Sequence, residues 1–209
     1  LLRSTEQTLR GIRGAQIGMI FQEPLSALNP LLSIGTQLCE PLRLHLGLSA
    51  KQAYTRAIEL LGEMQIPEPQ ARMAHFPHQL SGGQRQRAMI AMALACSPQL
   101  LIADEPTTAL DVTLQAQILA LLAQLQREYQ LAILLISHDL NMVQGFAEQV
   151  LVMEQGKICE QAAANQLFIQ PKQAYTQRLL AARDLPAAQD FKAKNTAILL
   201  QAEDLHCQF

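Results

Sequence analysis

Residues 100–106 read Leu-Leu-Ile-Ala-Asp-Glu-Pro, an apolar run that ends in two carboxylates and lies between Pro98 and Pro106. Its length and composition predict a strand that is buried on both faces of a sheet. Residues 112–128 follow with the spacing of an amphipathic helix, and residues 131–136 are a second apolar run that predicts a second buried strand. Strand, helix and strand in this order predict an α/β fold with a parallel sheet.

The two carboxylates come at the end of the first predicted strand, which is the edge where ligands bind in open parallel sheets. Asp104 can hold Mg²⁺ there, directly or through water, and Glu105 can orient and deprotonate an attacking water. Hydrolysis of a phosphate anhydride needs both roles. Adjacent acids after a strand also fit a solvated turn, so this pair by itself leaves both interpretations open.

The second strand ends in Ser137, His138 and Asp139 at the same predicted edge. A histidine at this place can donate a hydrogen bond to a terminal phosphate and stabilise the charge that develops during transfer. A single histidine after a strand is more often structural. Only its combination with the carboxylates favours the functional interpretation.

The run Leu-Ser-Gly-Gly-Gln at residues 80–84 precedes a helix that we predict to continue to about Ala95. The two glycines, Gly82 and Gly83, let backbone N–H groups approach an anion without side-chain obstruction, and the positive end of the helix dipole attracts negative charge. The run therefore predicts a phosphate-binding loop. A simple glycine turn before a helix is the alternative.

The rest of the pattern divides into a helical middle and a closing hairpin. Apolar spacing predicts a strand at residues 16–21, a helix at 33–48 and a helix that Ser49 caps and that runs to about Met64. After the sheet we predict a hairpin around residues 154–156, helices at 162–168 and 173–182, and a linker without periodicity at 183–195.

Composition narrows the class of protein. The 209 residues carry a formal net charge of -2 and include no basic cluster, which argues against nucleic acid as a partner. No run of about 20 apolar residues could span a bilayer, so a membrane role would depend on a partner. The cysteines lie far apart without metal-binding spacing, and we interpret them as reduced thiols. They are Cys39, Cys96, Cys159 and Cys207.

Five motifs occur in an order that resembles the ATP-binding cassette (ABC) ATPases. They are the Q-loop at residues 21–24, the signature loop at 80–84, the Walker B strand at 100–105, the D-loop at 109–111 and the H-loop at His138. The resemblance covers the chain to about Ala182. It implies an α/β, P-loop NTPase-type parallel sheet core, incomplete at its N-terminal part, with an inserted helical subdomain at about residues 31–95.

The resemblance also implies site roles and the cofactors ATP and Mg²⁺. Glu105 and His138 would be catalytic, and Asp104 and Gln22 would bind Mg²⁺. The residues that would contact nucleotide are Gln22, Ser81, Gly82, Gly83, Gln84, Asp104 and Asp111. In this family two domains sandwich each nucleotide, so the loop at residues 81–84 would face ATP held by the partner domain.

A narrower resemblance is to the ATPases of oligopeptide, dipeptide and nickel importers. It lies at residues 12–14, 17–24, 28–30 and 75–79, and at Phe168, Pro171, Tyr175, Thr176, Leu179 and Leu180. It implies peptide import by an assembly with two permease subunits, a second ATPase domain in cis or in trans, and indirectly a periplasmic solute-binding protein. The expected location is the cytoplasmic face of the bacterial inner membrane, with residues 23–30 against a permease helix.

The family's phosphate-gripping loop, Gly-x-x-x-x-Gly-Lys-[Ser/Thr], does not occur in residues 1–209. Both ends read as cut. We therefore expect an ABC ATPase domain at residues 1–182 without its Walker A part, the linker at 183–195, and the start of a second cassette at 196–209. We expect the isolated chain to be inactive toward ATP.

Three alternatives stay open at this point. Residues 196–209 could add a strand to the domain's own sheet. The chain could be a catalytically incompetent remnant of a transporter ATPase. It could also belong to a non-transport ABC protein of DNA repair or translation, although no coiled-coil insertion or basic arm is visible.

Overall fold

The structure is a computed structural model, and it describes residues 4–108 and 110–183. The strands are β1 Ile17–Ile20, β2 Leu100–Asp104, β3 Ala132–Ile136, β4 Gln149–Glu154 and β5 Lys157–Ala163. The helices are α1 Glu6–Ile12, α2 Pro24–Ala27, α3 Ile34–Leu46, α4 Ala50–Glu63, α5 Pro69–Arg72, α6 Gly82–Leu94, α7 Val112–Tyr129, α8 Leu140–Phe146, α9 Ala164–Ile169 and α10 Ala174–Arg183, with a 3-10 turn at Pro77–Gln79.

The parallel sheet predicted from the sequence is confirmed. β1, β2 and β3 lie side by side in that order, and both pairs are parallel. Helix α7 is the crossover that parallel neighbours such as β2 and β3 require. All three strands therefore end at one edge, where the chain continues into Gln22, Glu105 and His138.

The prediction that the strands are buried on both faces is wrong for the described residues. Leu101 and Ala103 of β2 are fully buried, but Leu100 and Ile102 on the alternate face are only half-buried. On β3, Leu134 and Ile136 are each 46% exposed. One face packs in the main core, and the described elements leave the other partly open to solvent.

The helical middle folds as its caps and spacing predict. Ser33 caps α3, and Ser49 caps α4 through a reciprocal capping box with Gln52. Helix α6 then joins this part to the sheet layer, because Arg87 donates to the Met64 carbonyl at 2.9 Å and to the Gln117 side chain at 3.2 Å. The proposed subdomain boundary near residue 95 stays a prediction.

The closing hairpin is confirmed, with one correction to its length. β4 and β5 pair antiparallel, and Ala162 and Ala163 pair with Val150 and Gln149. The helix predicted from residue 162 therefore begins only at Ala164, since the two alanines before it complete the ladder. Helix α10 extends to Arg183, and the rest of the predicted linker and second cassette lies outside the described residues.

Two further expectations concern chemistry and membranes. The three cysteines that the structure describes, Cys39, Cys96 and Cys159, are free. Cys207 lies outside the described residues. Within residues 4–108 and 110–183, each helix is too short or too polar to cross a bilayer.

The start of α10 is held by a carboxylate from β5. Glu160 is buried, and its two oxygens accept the backbone N–H groups of Lys172 at 2.8 Å and Gln173 at 3.1 Å. The pKa of Glu160 is lowered by the nearby Thr176 hydroxyl and by these amides. Thr176 Oγ1 forms no hydrogen bond of normal geometry with the described residues. The hydrogen bonds that hold Glu160 are therefore those from the two backbone amides.

Replacing Glu160 with Gln is expected to lower the melting temperature at pH 7, because one amide loses a charged acceptor. A lowered folded-state pKa stabilises the protein above the unfolded value of about 4.3, and the gain disappears as pH falls through the folded value. The gap between wild type and Glu160→Gln should therefore narrow as pH falls below about 4.3. Parallel thermal melts from pH 7 to pH 3 check this, and a gap that stays constant would contradict it.

Candidate functional site

Glu105 is the centre of a hydrogen-bonded group at the carboxyl edge of the sheet. Its Oε2 accepts Gln22 Nε2 at 2.8 Å and the Thr108 hydroxyl at 2.9 Å. Its Oε1 lies 2.9 Å from His138 Nδ1. The sequence predicted Gln22, Glu105 and His138 as site residues, and the structure brings all three together. Thr108 was missed, because a threonine in a turn carries no signal of its own.

The electrostatics of this group favour an ionised carboxylate. The hydrogen bond from His138 lowers the pKa of Glu105, and the Thr108 hydroxyl lowers it further. The same bond raises the pKa of His138, with the charge of Glu105 as the second cause. The His138 side chain is 76% exposed, whereas that of Glu105 is 23% exposed. The carboxylate is thus shielded, and the imidazole is open to a ligand.

The backbone at Glu105 is unusual. Its φ of 46° lies in the left-handed region, which costs a residue other than glycine about 1–3 kcal/mol. Its N–H donates to the Ile136 carbonyl at 2.9 Å, which continues the pairing of β2 with β3 past the end of the strand. This conformation turns the Glu105 side chain toward Gln22 and His138.

Asp104 and Gln22 carry oxygen atoms of the kind that could hold Mg²⁺. Asp104 is the last residue of β2, and Gln22 gives its Nε2 to Glu105, which leaves its Oε1 as an acceptor. Mg²⁺ binds proteins through one or two such oxygens and completes its shell with phosphates and water. Among the residues that the structure describes, no three His, Cys, Asp or Glu side chains cluster to hold a metal by themselves.

The signature loop forms the N-terminus of α6. The Ser81 side chain accepts the Gln84 N–H at 3.3 Å, and Gln84 Oε1 accepts the Ser81 N–H at 3.1 Å. This capping box uses the N–H groups of Ser81 and Gln84. The N–H groups of Gly82 and Gly83 remain available at the positive end of the helix dipole. The arrangement therefore suits an anion, although the Ser81 and Gln84 side chains each already accept the backbone N–H of the other residue.

Gly83 also has a packing reason for being glycine. A Cβ at this position would lie 3.3 Å from Leu114 Cδ2 of helix α7, which is tighter than ordinary contact. Neither Gly82 nor Gly83 has a positive φ, so turn geometry does not require them. A turn with positive φ therefore does not explain these glycines, whereas packing against Leu114 is a structural reason for Gly83, and the phosphate-binding role stays a prediction.

Asp111 and the signature loop stand apart from the group at Glu105. Asp111 is the N-cap of α7 and accepts the Leu114 N–H at 2.9 Å. No hydrogen bond within the described part of the chain joins residues 81–84 or Asp111 to Gln22, Glu105 or His138. The nucleotide-binding roles of Ser81, Gly82, Gly83, Gln84 and Asp111 stay predictions.

Comparison with known proteins identifies the family of this chain and several similar proteins. The family model described as ABC transporter matches residues 3–108. The chain is 51% identical over 182 residues to the glutathione import ATP-binding protein GsiA of Salmonella typhimurium, which covers 87% of the chain and 29% of the relative. It is 48% identical over 209 residues to the peptidoglycan transport ATP-binding protein YejF of Agrobacterium fabrum, covering 100% of the chain and 38% of the relative.

A third relative and a solved structure also belong to the ATP-binding cassette proteins. The putative peptide import ATP-binding protein of Brucella melitensis is 50% identical over 185 residues, covering 88% of the chain and 54% of that protein. A dimeric post-hydrolysis structure of the ATP-binding cassette MJ0796 with ADP and Pi matches with a TM-score of 0.68 at 32% identity, over 78% of the chain and 68% of that chain. The chain thus spans between 29% and 54% of the length of these curated relatives.

Proposed function

Because the chain belongs to the ABC transporter family, we propose that it forms part of the ATP-hydrolysing subunit of an importer. The observation that carries the proposal is the meeting of Gln22, Glu105 and His138 in one hydrogen-bonded group at the end of the parallel strands. Such a group can activate water and meet a developing negative charge at the same place. Hydrolysis of ATP needs both capacities.

Glu105 is the general base in this proposal. The oxygen of a water forms a bond to the γ-phosphorus while the bond to the leaving oxygen of ADP breaks, and the proton of the water passes to the Glu105 carboxylate. The lowered pKa keeps this carboxylate ionised at neutral pH. Gln22 and Thr108 both bind Oε2, so their hydrogen bonds fix the direction of the carboxylate.

His138 meets the charge on the γ-phosphate. Its Nδ1 is occupied by Glu105, so Nε2 is the nitrogen that remains for a ligand. The carboxylate only accepts, and a neutral imidazole has a single N–H, so His138 can serve both partners only as an imidazolium. The raised pKa of His138 supports that protonated form.

Nucleotide and metal are the remaining parts of the proposed site. Mg²⁺ held by Asp104 and Gln22 Oε1 supplies neutralisation of phosphate charge when it is bound. The loop at residues 81–84 faces the ATP of a second ATPase domain, in cis or in trans. The dimeric, ADP-bound and Pi-bound state of the solved relative supports such a sandwich. Asp111 lies at the start of α7 beside this interface.

The proposed substrate class is peptides. The relatives are named for import of glutathione and peptides and for transport of peptidoglycan, and peptide-like groups are common to all three. Two permease subunits are the proposed membrane partners, and a periplasmic solute-binding protein acts through them. Residues 23–30 are the proposed contact, supported by the neighbouring Leu31, which is 82% exposed. The proposed location is the cytoplasmic face of the inner membrane.

The test uses the intact protein that contains this chain, because the phosphate-gripping loop is not within residues 1–209. Wild type should hydrolyse ATP only with Mg²⁺, and His138→Ala should lower kcat about 10²- to 10³-fold, as loss of one charge-stabilising donor does. His45→Ala in α3 is the matched control and should keep wild-type turnover. Metal-independent hydrolysis, or equal rates for both variants, would reject the proposal.

A further inference from the structure

A buried amide connects the signature helix to the turn that carries Glu105. Gln86 lies in α6, five residues after the N-cap Ser81, and is only 2% exposed. Its Nε2 donates to the carbonyl oxygen of Pro106, the residue after Glu105. A buried amide without a partner is costly, so this bond specifies one arrangement of the two elements.

A second amide secures the same turn from the other side. Gln115 of α7 donates its Nε2 to the Thr107 carbonyl at 3.3 Å. Pro106 and Thr107 are themselves buried, and neither carbonyl belongs to a strand ladder. Two successive peptides after Glu105 are thus held by side chains from two different helices.

The turn needs such support because Glu105 itself is held in the left-handed region, at a φ of 46°. A conformation of this kind persists only where the surroundings determine it. The N–H of Glu105 is fixed by β3, and the Pro106–Thr107 peptide, one residue further along the chain, is fixed by Gln86. The direction of the Glu105 side chain therefore depends on the position of α6.

We propose that Gln86 is a positioning residue, whose hydrogen bond to the Pro106 carbonyl holds the Glu105 carboxylate in place and ties it to the helix that begins at the signature loop. The proposal rests on the proposed function of Glu105 as general base.

The test is Gln86→Met in the intact protein. Methionine keeps the length of the side chain and suits a helix, but it cannot donate to Pro106. We expect kcat for ATP to fall about 10- to 100-fold, as misplacement of a catalytic group does, while KM for ATP changes less than about threefold. Gln115 is half-buried, and Gln115→Leu should also lower kcat. It serves as the second variant if Gln86→Met does not fold.

Met89→Ala is the matched control for a purely structural effect. Met89 lies in the same helix and is 3% exposed, but it has no contact with the Pro106 carbonyl among the described hydrogen bonds. It should lower the melting temperature while kcat per folded molecule stays at the wild-type value. If Gln86→Met behaves as Met89→Ala does, the positioning role is wrong.

A double mutant separates this inference from the proposed function. If Gln86 acts through Glu105, adding Gln86→Met to Glu105→Gln should leave residual single-turnover hydrolysis of radiolabelled ATP unchanged. Losses that multiply would overturn the positioning role. If Glu105→Gln alone hydrolyses ATP at the wild-type rate, the proposed function fails, and the positioning role built on it is rejected with it.

Discussion

Replacing Glu105 with Gln in the intact protein is expected to lower ATP turnover about 10²- to 10⁴-fold, the usual contribution of a general base. The amide cannot take the proton of the attacking water. Nucleotide binding should be kept, because Glu105 is not among the groups proposed to hold Mg²⁺ or phosphate. The measurement is steady-state hydrolysis together with the dissociation constant of a fluorescent ATP analogue.

The control for this variant is Glu148→Gln, the same change at an exposed glutamate outside the site. It should hydrolyse ATP at the wild-type rate. Melting temperatures must be compared as well, since an amide at residue 105 can turn its NH₂ toward Gln22 or Thr108 and lose a hydrogen bond. A folded Glu105→Gln with undiminished turnover would exclude Glu105 as the base.

The parts of the fold that were predictable are those whose signals are local. The apolar runs at residues 100–104 and 131–136 and the helix between them determine the parallel sheet, because parallel neighbours need a crossover. Ser49 and Ser81 are followed three residues later by Gln, and both form capping boxes. A capping box joins residues that are three positions apart, so a segment of four residues is enough to predict it.

The parts that were not predictable depend on distant partners. Apolar composition predicted that β2 is buried on both faces and that β3 is buried. The exposure of a strand depends on which elements cover each face, and Leu134 of β3 is 46% exposed. Ala162 and Ala163 have no strand preference, and they extend β5 only because β4 lies opposite.

The site shows the same division. Gln22, Glu105 and His138 could be expected at one edge, because each follows a strand of the parallel sheet. Gln86 could not, since its partner is the backbone of Pro106, 20 residues away, and a glutamine in a helix is usually solvent-exposed. Polar residues that act on the backbone of a site leave no pattern in the sequence.

Addition of one methyl group should have opposite effects at two glycines. At Gly18 of β1, a Cβ would lie 2.3 Å from the Ala93 carbonyl oxygen and 3.2 Å from Pro98 Cγ. Because the nearest atom is backbone, β1 must move away from α6, and we expect Gly18→Ala to lower the free energy of unfolding by about 1–3 kcal/mol. The shift would also displace Gln22, which follows β1 after one residue, so hydrolysis should fall too.

Gly62 is the matched control, because it lies near the end of helix α4 with nothing within 4 Å of an added Cβ. Alanine suits a helix better than glycine does, so Gly62→Ala should raise the free energy of unfolding by about 0.5–1 kcal/mol. Thermal and denaturant unfolding of both variants of the intact protein measures the two effects. If Gly18→Ala is as stable as wild type, β1 and α6 are packed less closely than the structure describes. Close packing against the Ala93 carbonyl would then not be the reason for a glycine at residue 18.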